Sequence, residues 1–483
     1  MKESLNKVFD VYIFALSFFF ASRPLNDPDF WFHLKTGEYI FQYGAIPRTD
    51  LFSFTHYGRP WVAHGWLSGA AFYAFYSRLG FNFLIFLFAL LAALAFWIVY
   101  KRCNSPPIIA GGATLLGAWS VTTTLGVRPR IFSLLIASIY LAVLNQYAKR
   151  GTGRRVWLLI PLMTLWVNLH GGFFIGFALI ALTLLGIPLD AWTAGDKLRS
   201  VWPQIRVLAL IFLGCLGAGL LNPYGVRMYT FPISVLQSPI FQDLINDWLS
   251  PNFHQPELRA LLLLILLTIS VLLLAPRRIK PSELLLFVAV FYATLKAQRN
   301  MLIFPLVAVP LLAVGFQELL SKYFGRTTLG RASVTMSSAR EFTLMVVLIL
   351  PLGILAVRAR SALYVPLTQQ KSHVPIKAVN YLKENQITGN TFAAPNVWGG
   401  YLLWALPSNP VYIDGRDVYP DQFVKEFVEI GSGTVDWKKP FERHSVQIAV
   451  IQPNTNLALR LEESTTWERI YQDEMSVVFR KRH

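Results

Sequence analysis

FNFLIFLFALLAALAFWIVY, residues Phe81–Tyr100, carries no charged side chain and runs straight into Lys101 and Arg102. Bilayer hydrocarbon is about 30 Å thick, and a helix rising about 1.5 Å per residue needs about twenty residues to cross it. This stretch therefore predicts a membrane span. Working outward, similar apolar runs occur at Leu261–Ala275 and Phe342–Val357. Charged residues make up only 15% of the 483-residue chain, against about 25% in soluble domains. The pattern predicts a polytopic α-helical membrane protein with about eleven spans. They fall near residues 8–23, 81–101, 107–125, 131–147, 156–169, 172–189, 205–221, 259–276, 282–295, 300–319 and 342–358.

Charge placement orients these spans. The formal net charge is +17, and cations recur at every second junction: Lys2 and Lys7, Lys101 and Arg102, Lys149 to Arg155, Lys197 to Arg206, Arg277 to Lys280, and Lys322 to Arg340. That is the positive-inside signature, which puts the N-terminus in the cytoplasm. Nucleic-acid binding would instead require a basic face on a soluble domain. The last 125 or so residues are nearly charge-balanced, so no nucleic-acid partner is expected. The two cysteines, Cys103 at a cytoplasmic junction and Cys215 within a span, give no disulfide. The apolar run from Val8 to Ser22 lacks a convincing cleavage site and is read as a retained span.

Between the first two spans lies an outward loop, roughly 24–80, with two expected interfacial helices at 29–43 and 64–78. A second outward loop covers 222–258. From about 360 the composition becomes that of a soluble extracytoplasmic α/β domain. Helices are expected at 375–385, 397–405, 420–430 and 456–463, and strands at 411–413, 446–451 and 468–479. The division is thus a membrane portion, 1–359, and a small C-terminal domain, 360–483.

Polar groups confined to the outward face mark the candidate site. Asp27 and Asp29 lie beside a membrane surface among aromatics, where one suits a general base for a hydroxyl acceptor. Capping of the 29–43 helix is the competing role for Asp27. Arg128, Arg130, Lys296 and Arg299 run against the charge bias, which suggests that they hold a phosphate of a lipid carrier; headgroup snorkelling is the alternative. His33, His64, His170 and Asp247 are candidate acceptor or wall residues. The acids and histidines together leave a divalent metal open, but their spacing matches no ligand motif and no other cofactor is indicated. A helix break is expected around Asn168-Leu169-His170-Gly171-Gly172. No Walker A sequence or dinucleotide fingerprint occurs.

Two groups of motifs carry a resemblance. Asp27-Pro28-Asp29-Phe30-Trp31-Phe32-His33-Leu34-Lys35-Thr36-Gly37, Gly44 to Asp50, and Trp61-Val62-Ala63-His64-Gly65-Trp66-Leu67 stand in the first loop; Asn396 to Tyr401 and Asp414-Gly415-Arg416 stand near the C-terminus. These resemble a bacterial group of the GT-C superfamily of membrane glycosyltransferases, which includes protein mannosyltransferases and aminoarabinose transferases. The resemblance implies a lipid-linked sugar donor of polyprenyl-phosphate type, transfer to a glycan, lipid or protein acceptor, and an acceptor-activating acid at Asp29. The sequence departs from the pattern at Phe30, where a second acid is usual, at Gly65, where Glu is expected, and at Arg130, where Gln is usual. A lipid-glycan transporter or flippase, an O-antigen-ligase-like enzyme and a non-catalytic envelope scaffold remain the alternatives.

Overall fold

The computed structural model describes residues 2–25, 27–240, 246–324 and 374–482. The expected span at 342–358 lies outside the described residues. The first twelve described α-helices are α1 (Lys2–Ala21), α2 (Asp29–Tyr43), α3 (Trp66–Arg102), α4 (Pro107–Ser120), α5 (Arg130–Arg150), α6 (Leu159–Leu169), α7 (Phe174–Ala194), α8 (Leu198–Gly219), α9 (Arg227–Gln237), α10 (Arg259–Leu274), α11 (Pro281–Lys296) and α12 (Phe304–Phe324). A helix coincides with each of the other ten expected spans. By length and apolar composition, six described helical segments can cross a membrane, and α1 and α4 contribute shorter apolar ones. The chain is a polytopic helical membrane protein with a small sheet region.

The described residues form two compact units. One contains 2–24, 85–225 and 246–324; the other contains 25, 27–84, 226–240 and 374–482. In the first, α12 packs against α4, α10 and α11, α7 packs against α5, α8 and α11, and α6 packs against α8. Small residues let these helices approach. A Cβ on Gly117 would lie 2.5 Å from Val309 Cγ2, and one on Gly186 would lie 2.6 Å from Ser282 Cβ. Close packing replaces the hydrophobic effect as the source of helix association in lipid.

In the second unit, α2 ends at Gly44 in the left-handed region, φ 65°. Gly80, at φ 76° and ψ −178°, breaks α3 and separates the expected interfacial helix from the span that follows it. The N-terminal part of α3 crosses α2 with almost no side chain between them. A Cβ on Gly37 would lie 2.0 Å from Gly69 O, and one on Gly69 would lie 2.6 Å from His33 O.

The same unit holds α13 (Ile376–Glu384), β1 (Thr391–Ala394), α14 (Val397–Ala405), α15 (Asp421–Ser432), α16 (Lys438–Arg443), β2 (Ile448–Ile451), α17 (Asn456–Glu462), β3 (Trp467–Gln472) and β4 (Val477–Lys481). Strand order is β1-β2-β4-β3, with β1 and β2 parallel and the other pairs antiparallel. Phe392, Tyr412, Phe427, Phe441, Trp467 and Phe479 fill the core against it.

Two strand expectations need correcting, and one strand was not expected. The 468–479 stretch is a hairpin of two strands, turned at Asp473, whose carboxylate accepts the Met475 and Ser476 amides. Residues 411–413 form no strand. Val411 makes single bridges to Thr391 and Ser53, and Pro410, which has no N–H, cannot extend the ladder. The first strand is instead Thr391–Ala394, whose short, Ala-rich sequence ends at Pro395 and carries no alternation.

Residues 25–84 and the C-terminal segment, divided by the sequence reading, share this unit. Trp31 of α2 sits edge-on to Tyr401, with ring centroids 4.9 Å apart, and lies 5.0 Å from Trp404, both on α14. Replacing Gly37 or Gly69 with Val should destabilise the protein by more than about 3 kcal/mol, because backbone blocks the new side chain. Gly112→Ala, which meets nothing within 4 Å, should leave stability unchanged or slightly higher. Thermal unfolding of the three purified variants checks this.

Candidate functional site

Asp29 is the first residue of α2, where a carboxylate also faces the positive end of the helix dipole. Asp27, two residues earlier, is buried, and its Oδ1 accepts the Asp29 amide at 3.3 Å. The N-cap position itself is held by Pro28, so Asp27 sits one residue before the cap. Asp29 is half-buried, and its Oδ1 lies under the Asp414-Gly415-Arg416 loop; a Cβ on Gly415 would sit 2.7 Å from it.

That loop is held by a buried ion cluster. The Arg416 guanidinium, with no exposed side-chain surface, pairs with Asp414 (Nη2–Oδ2 2.7 Å, Nε–Oδ1 2.9 Å) and with Asp50 Oδ1 at 2.8 Å. Phe52 and Trp61 offer their ring faces at 5.0 and 4.7 Å. Burial opposes the charge on Arg416, but Asp414 and Asp50 outweigh it and raise its pKa well above the usual value. Asp50 is likewise pushed up by burial, yet Arg416, the Ser53 hydroxyl and the Phe52 amide bring it below the carboxylate range. Removing one partner of such a buried cluster costs about 3–5 kcal/mol, since the other charges stay desolvated.

Beside this lie His33 and His64, the two candidate histidines of the first loop. His33 is buried against Phe32 and Phe72, with ring centroids 4.3 and 6.0 Å away. Burial, aided by repulsion from His64, lowers its pKa to about 3. His64 stacks on Phe231 of α9, with centroids 5.3 Å apart, and its Nδ1 lies 3.8 Å from Asp417 Oδ2. Burial raises the Asp417 pKa, while His64 pulls it down.

The other candidate residues belong to the membrane-helix unit. Arg128 precedes α5 and Arg130 opens it; Asp247 and Trp248 lie in the second loop, and Arg299 follows α11. Arg130 pairs with Asp247, and the Arg299 guanidinium sits 4.1 Å above the Trp248 ring. Burial pushes the Asp247 carboxyl up, but Arg130, then Arg128 and Arg299, pull it below its ordinary value. Residues more than a hundred positions apart thus converge at one cluster. Lys296 does not join it: exposed at the end of α11, it makes no ion pair among the described residues.

The expected helix break is present, with α6 ending at Leu169 and His170 extended. His170 Nδ1 accepts the Gly172 amide at 3.1 Å and lies 2.7 Å from Ser133 Oγ, which leaves the ring proton on Nε2. Asn222 Nδ2 donates to Asn168 Oδ1 at 3.1 Å, tying the break to the end of α8. Among the described residues, no three His, Cys, Asp or Glu side chains are grouped to hold a metal ion. Cys103 and Cys215 are buried and unpaired as a disulfide.

Sequence reading gave no role to Asp50, Asp414, Arg416 or Asp417. Three of them stand in the quoted motifs, but their pairing joins positions hundreds of residues apart and leaves no mark in local spacing.

By sequence, no protein-family profile and no curated protein matches the chain. By structure, it is similar to the archaeal oligosaccharyltransferase AglB from Archaeoglobus fulgidus in complex with an inhibitory peptide and a dolichol-phosphate. The identity is 14% and the TM-score 0.59, covering 93% of this chain and 70% of that one. The apo form of the Archaeoglobus fulgidus oligosaccharyltransferase gives the same TM-score over 92% and 69%. ArnT from Cupriavidus metallidurans bound to undecaprenyl phosphate matches at a TM-score of 0.48 and 14% identity, over 99% and 97%. What this chain shares with AglB is the fold.

Protonating His33 in the folded protein is unfavourable, so its contribution to stability is complete above pH 6.5 and declines as pH falls toward 3. His33→Gln should flatten the decline of Tm between pH 6.5 and 4, measured in a neutral detergent.

Proposed function

We propose that this protein is a membrane glycosyltransferase of GT-C type that moves a sugar from a polyprenyl-phosphate-type lipid to an acceptor on the extracytoplasmic face. The observation that carries this reading is the convergence of Arg128, Arg130 and Arg299 on Asp247 and Trp248. Guanidinium forks match the oxygens of a phosphate leaving group. The AglB structure that shares the fold holds a dolichol-phosphate, which supports a lipid-linked donor.

In this mechanism Asp29 takes the proton of the acceptor hydroxyl, and Asp27 steadies the helix start that carries it. The acceptor oxygen attacks the anomeric carbon and inverts it. The bond from that carbon to the phosphate oxygen breaks, and the lipid phosphate leaves with the electron pair, held by the arginines. Gly415 keeps the space over Asp29 open. His33, His64 and His170 serve as walls, and Asp247 orients Arg130. A site facing away from the cytoplasm suits a lipid-linked donor, because nucleotide sugars are cytoplasmic.

Parity supports eleven spans. Residues 25–84, 226–240 and 374–482 pack in one unit, so an even number of crossings must separate them. Six expected spans lie between 81 and 221 and four between 259 and 358, which satisfies this with the N-terminus inside. A cysteine placed at exposed Lys425 should react with an impermeant maleimide in intact spheroplasts, whereas one at Lys149 should react only after lysis. The reverse labelling pattern would invert the orientation.

Proteoliposomes supplied with a panel of polyprenyl-phosphate sugars and candidate acceptors test the chemistry. Asp29→Asn should reduce transfer about 10²–10⁴-fold with donor binding retained. Arg299→Gln should weaken donor use about 10–100-fold, and Gly415→Ala should lower kcat more than it changes the donor KM. Transfer unaffected by Asp29→Asn would remove the acid from the mechanism and favour ligase-like chemistry at the arginines and histidines.

A further inference from the structure

A second basic site stands at the opposite end of α5, about 30 Å along the 21-residue helix from Arg130. The helix stops at Arg150, and Gly151 takes φ 73°, a left-handed conformation suited to glycine. Gln204 of α8 lies close against the turn, since a Cβ on Gly151 would sit 2.4 Å from its Nε2. Gly153, at φ 149°, then leads into Arg154 and Arg155. Beside this turn lies an open recess of about 300 Å³, with Val143, Tyr147 and Val156 as its apolar wall and the exposed Arg150, Arg154 and Arg155 as its cationic rim.

The electrostatics are one-sided. The chain has no Asp or Glu between Asp50 and Asp190. Asp190 is itself engaged, accepting from the Ser282 amide at 2.9 Å and the Ser282 hydroxyl at 2.6 Å. Arg150, Arg154 and Arg155 have no carboxylate partner among the described residues. Solvated cations at a helix end would satisfy the positive-inside pattern by themselves. They would not need an apolar wall or a common recess. Three guanidiniums around a cavity of this size match a phosphate group with a short organic attachment, and basic recesses at the ends of membrane helices are the kind that bind phospholipid headgroups.

We propose that this recess is a phosphate-binding site, independent of the transfer site, that takes either the phosphodiester of an anionic phospholipid or a soluble phosphate. The apolar wall lies against the acyl or ester side of the ligand, and the guanidiniums share its oxygens.

The test is thermal unfolding of the full-length protein in neutral detergent at constant ionic strength. It is titrated separately with phosphatidylglycerol, phosphatidylcholine and inorganic phosphate. A saturable rise in Tm of about 2–4 °C is expected with phosphatidylglycerol or phosphate, and none with phosphatidylcholine. A response to phosphatidylglycerol alone identifies the lipid as the source; an equal response to inorganic phosphate identifies a soluble ligand. The triple variant Arg150→Gln, Arg154→Gln, Arg155→Gln should lose the response. Arg199→Gln, Arg206→Gln, Arg278→Gln, which removes the same charge from other junctions of the same expected face, should keep it. Equal loss in both variants would reduce the effect to general surface charge and overturn the site, as would no response in the wild type. If the triple variant does not fold, Arg154→Gln with Arg155→Gln should raise the half-saturating concentration at least tenfold, and an unchanged value would refute the proposal.

Discussion

Backbone N–H and C=O groups that enter hydrocarbon find no water, so each must be bonded within its own segment. The organisation of this chain follows from that constraint. Between Phe81 and Phe324 the long apolar stretches fold as helices, and groups able to do polar chemistry collect at helix ends and loops. Arg128 and Arg130 stand at the start of α5, His170 at the end of α6, and Arg299 just after α11. The lipid-facing surface cannot hold these side chains without a large desolvation penalty. Helix association must then come from close packing, which is why glycines such as Gly117, Gly186 and Gly315 sit where another helix presses on them.

The second unit obeys a different rule. Its cohesion comes from aromatic burial and from one desolvated ion cluster. Trp31 meets Tyr401 and Trp404 across the α2–α14 contact, and Phe54 of the first loop packs against the core of the C-terminal sheet. Arg416 adds specificity, because its guanidinium must satisfy Asp50 from the first loop and Asp414 from its own loop at once. A buried charge set of this kind tolerates few alternative arrangements, since any displaced partner would be left unpaired in a low-dielectric surrounding. The position of Gly415 over Asp29 is inherited from that cluster rather than from any local preference of the Asp414-Gly415-Arg416 turn.

Electrostatics separate the two ends of α5. At one end Arg130 is matched with Asp247, and the loop that carries the acid also brings Trp248 beneath Arg299. At the other end Arg150, Arg154 and Arg155 have no carboxylate partner among the described residues, and they rim a recess. The same residue type thus sits in two settings, an acid-bearing cluster and a rim of arginines.

Much of this was legible in the sequence, because hydropathy and charge alternation are properties of single segments. The helices at the ten expected spans within the described residues, helix α2 to the residue and the break after Asn168-Leu169 all follow from composition, turn residues and period. The short strand Thr391–Ala394 and the β3–β4 hairpin did not, since a four-residue Ala-rich strand has no alternation to read and the turn at Asp473 carries neither Gly nor Pro to divide the 468–479 stretch. For the candidate site, sequence supplied the residue types: acids beside Pro28, cations against the charge bias, and histidines in the loops. Only the tertiary structure decided which of them meet. Asp247 joins Arg130, His64 approaches Asp417, and Asp50 reaches Arg416, whereas Lys296 stays apart. The physical reason is that secondary structure is set by interactions a few residues long, while ion pairs between distant loops are fixed only when helix packing and the sheet core have brought their backbones together.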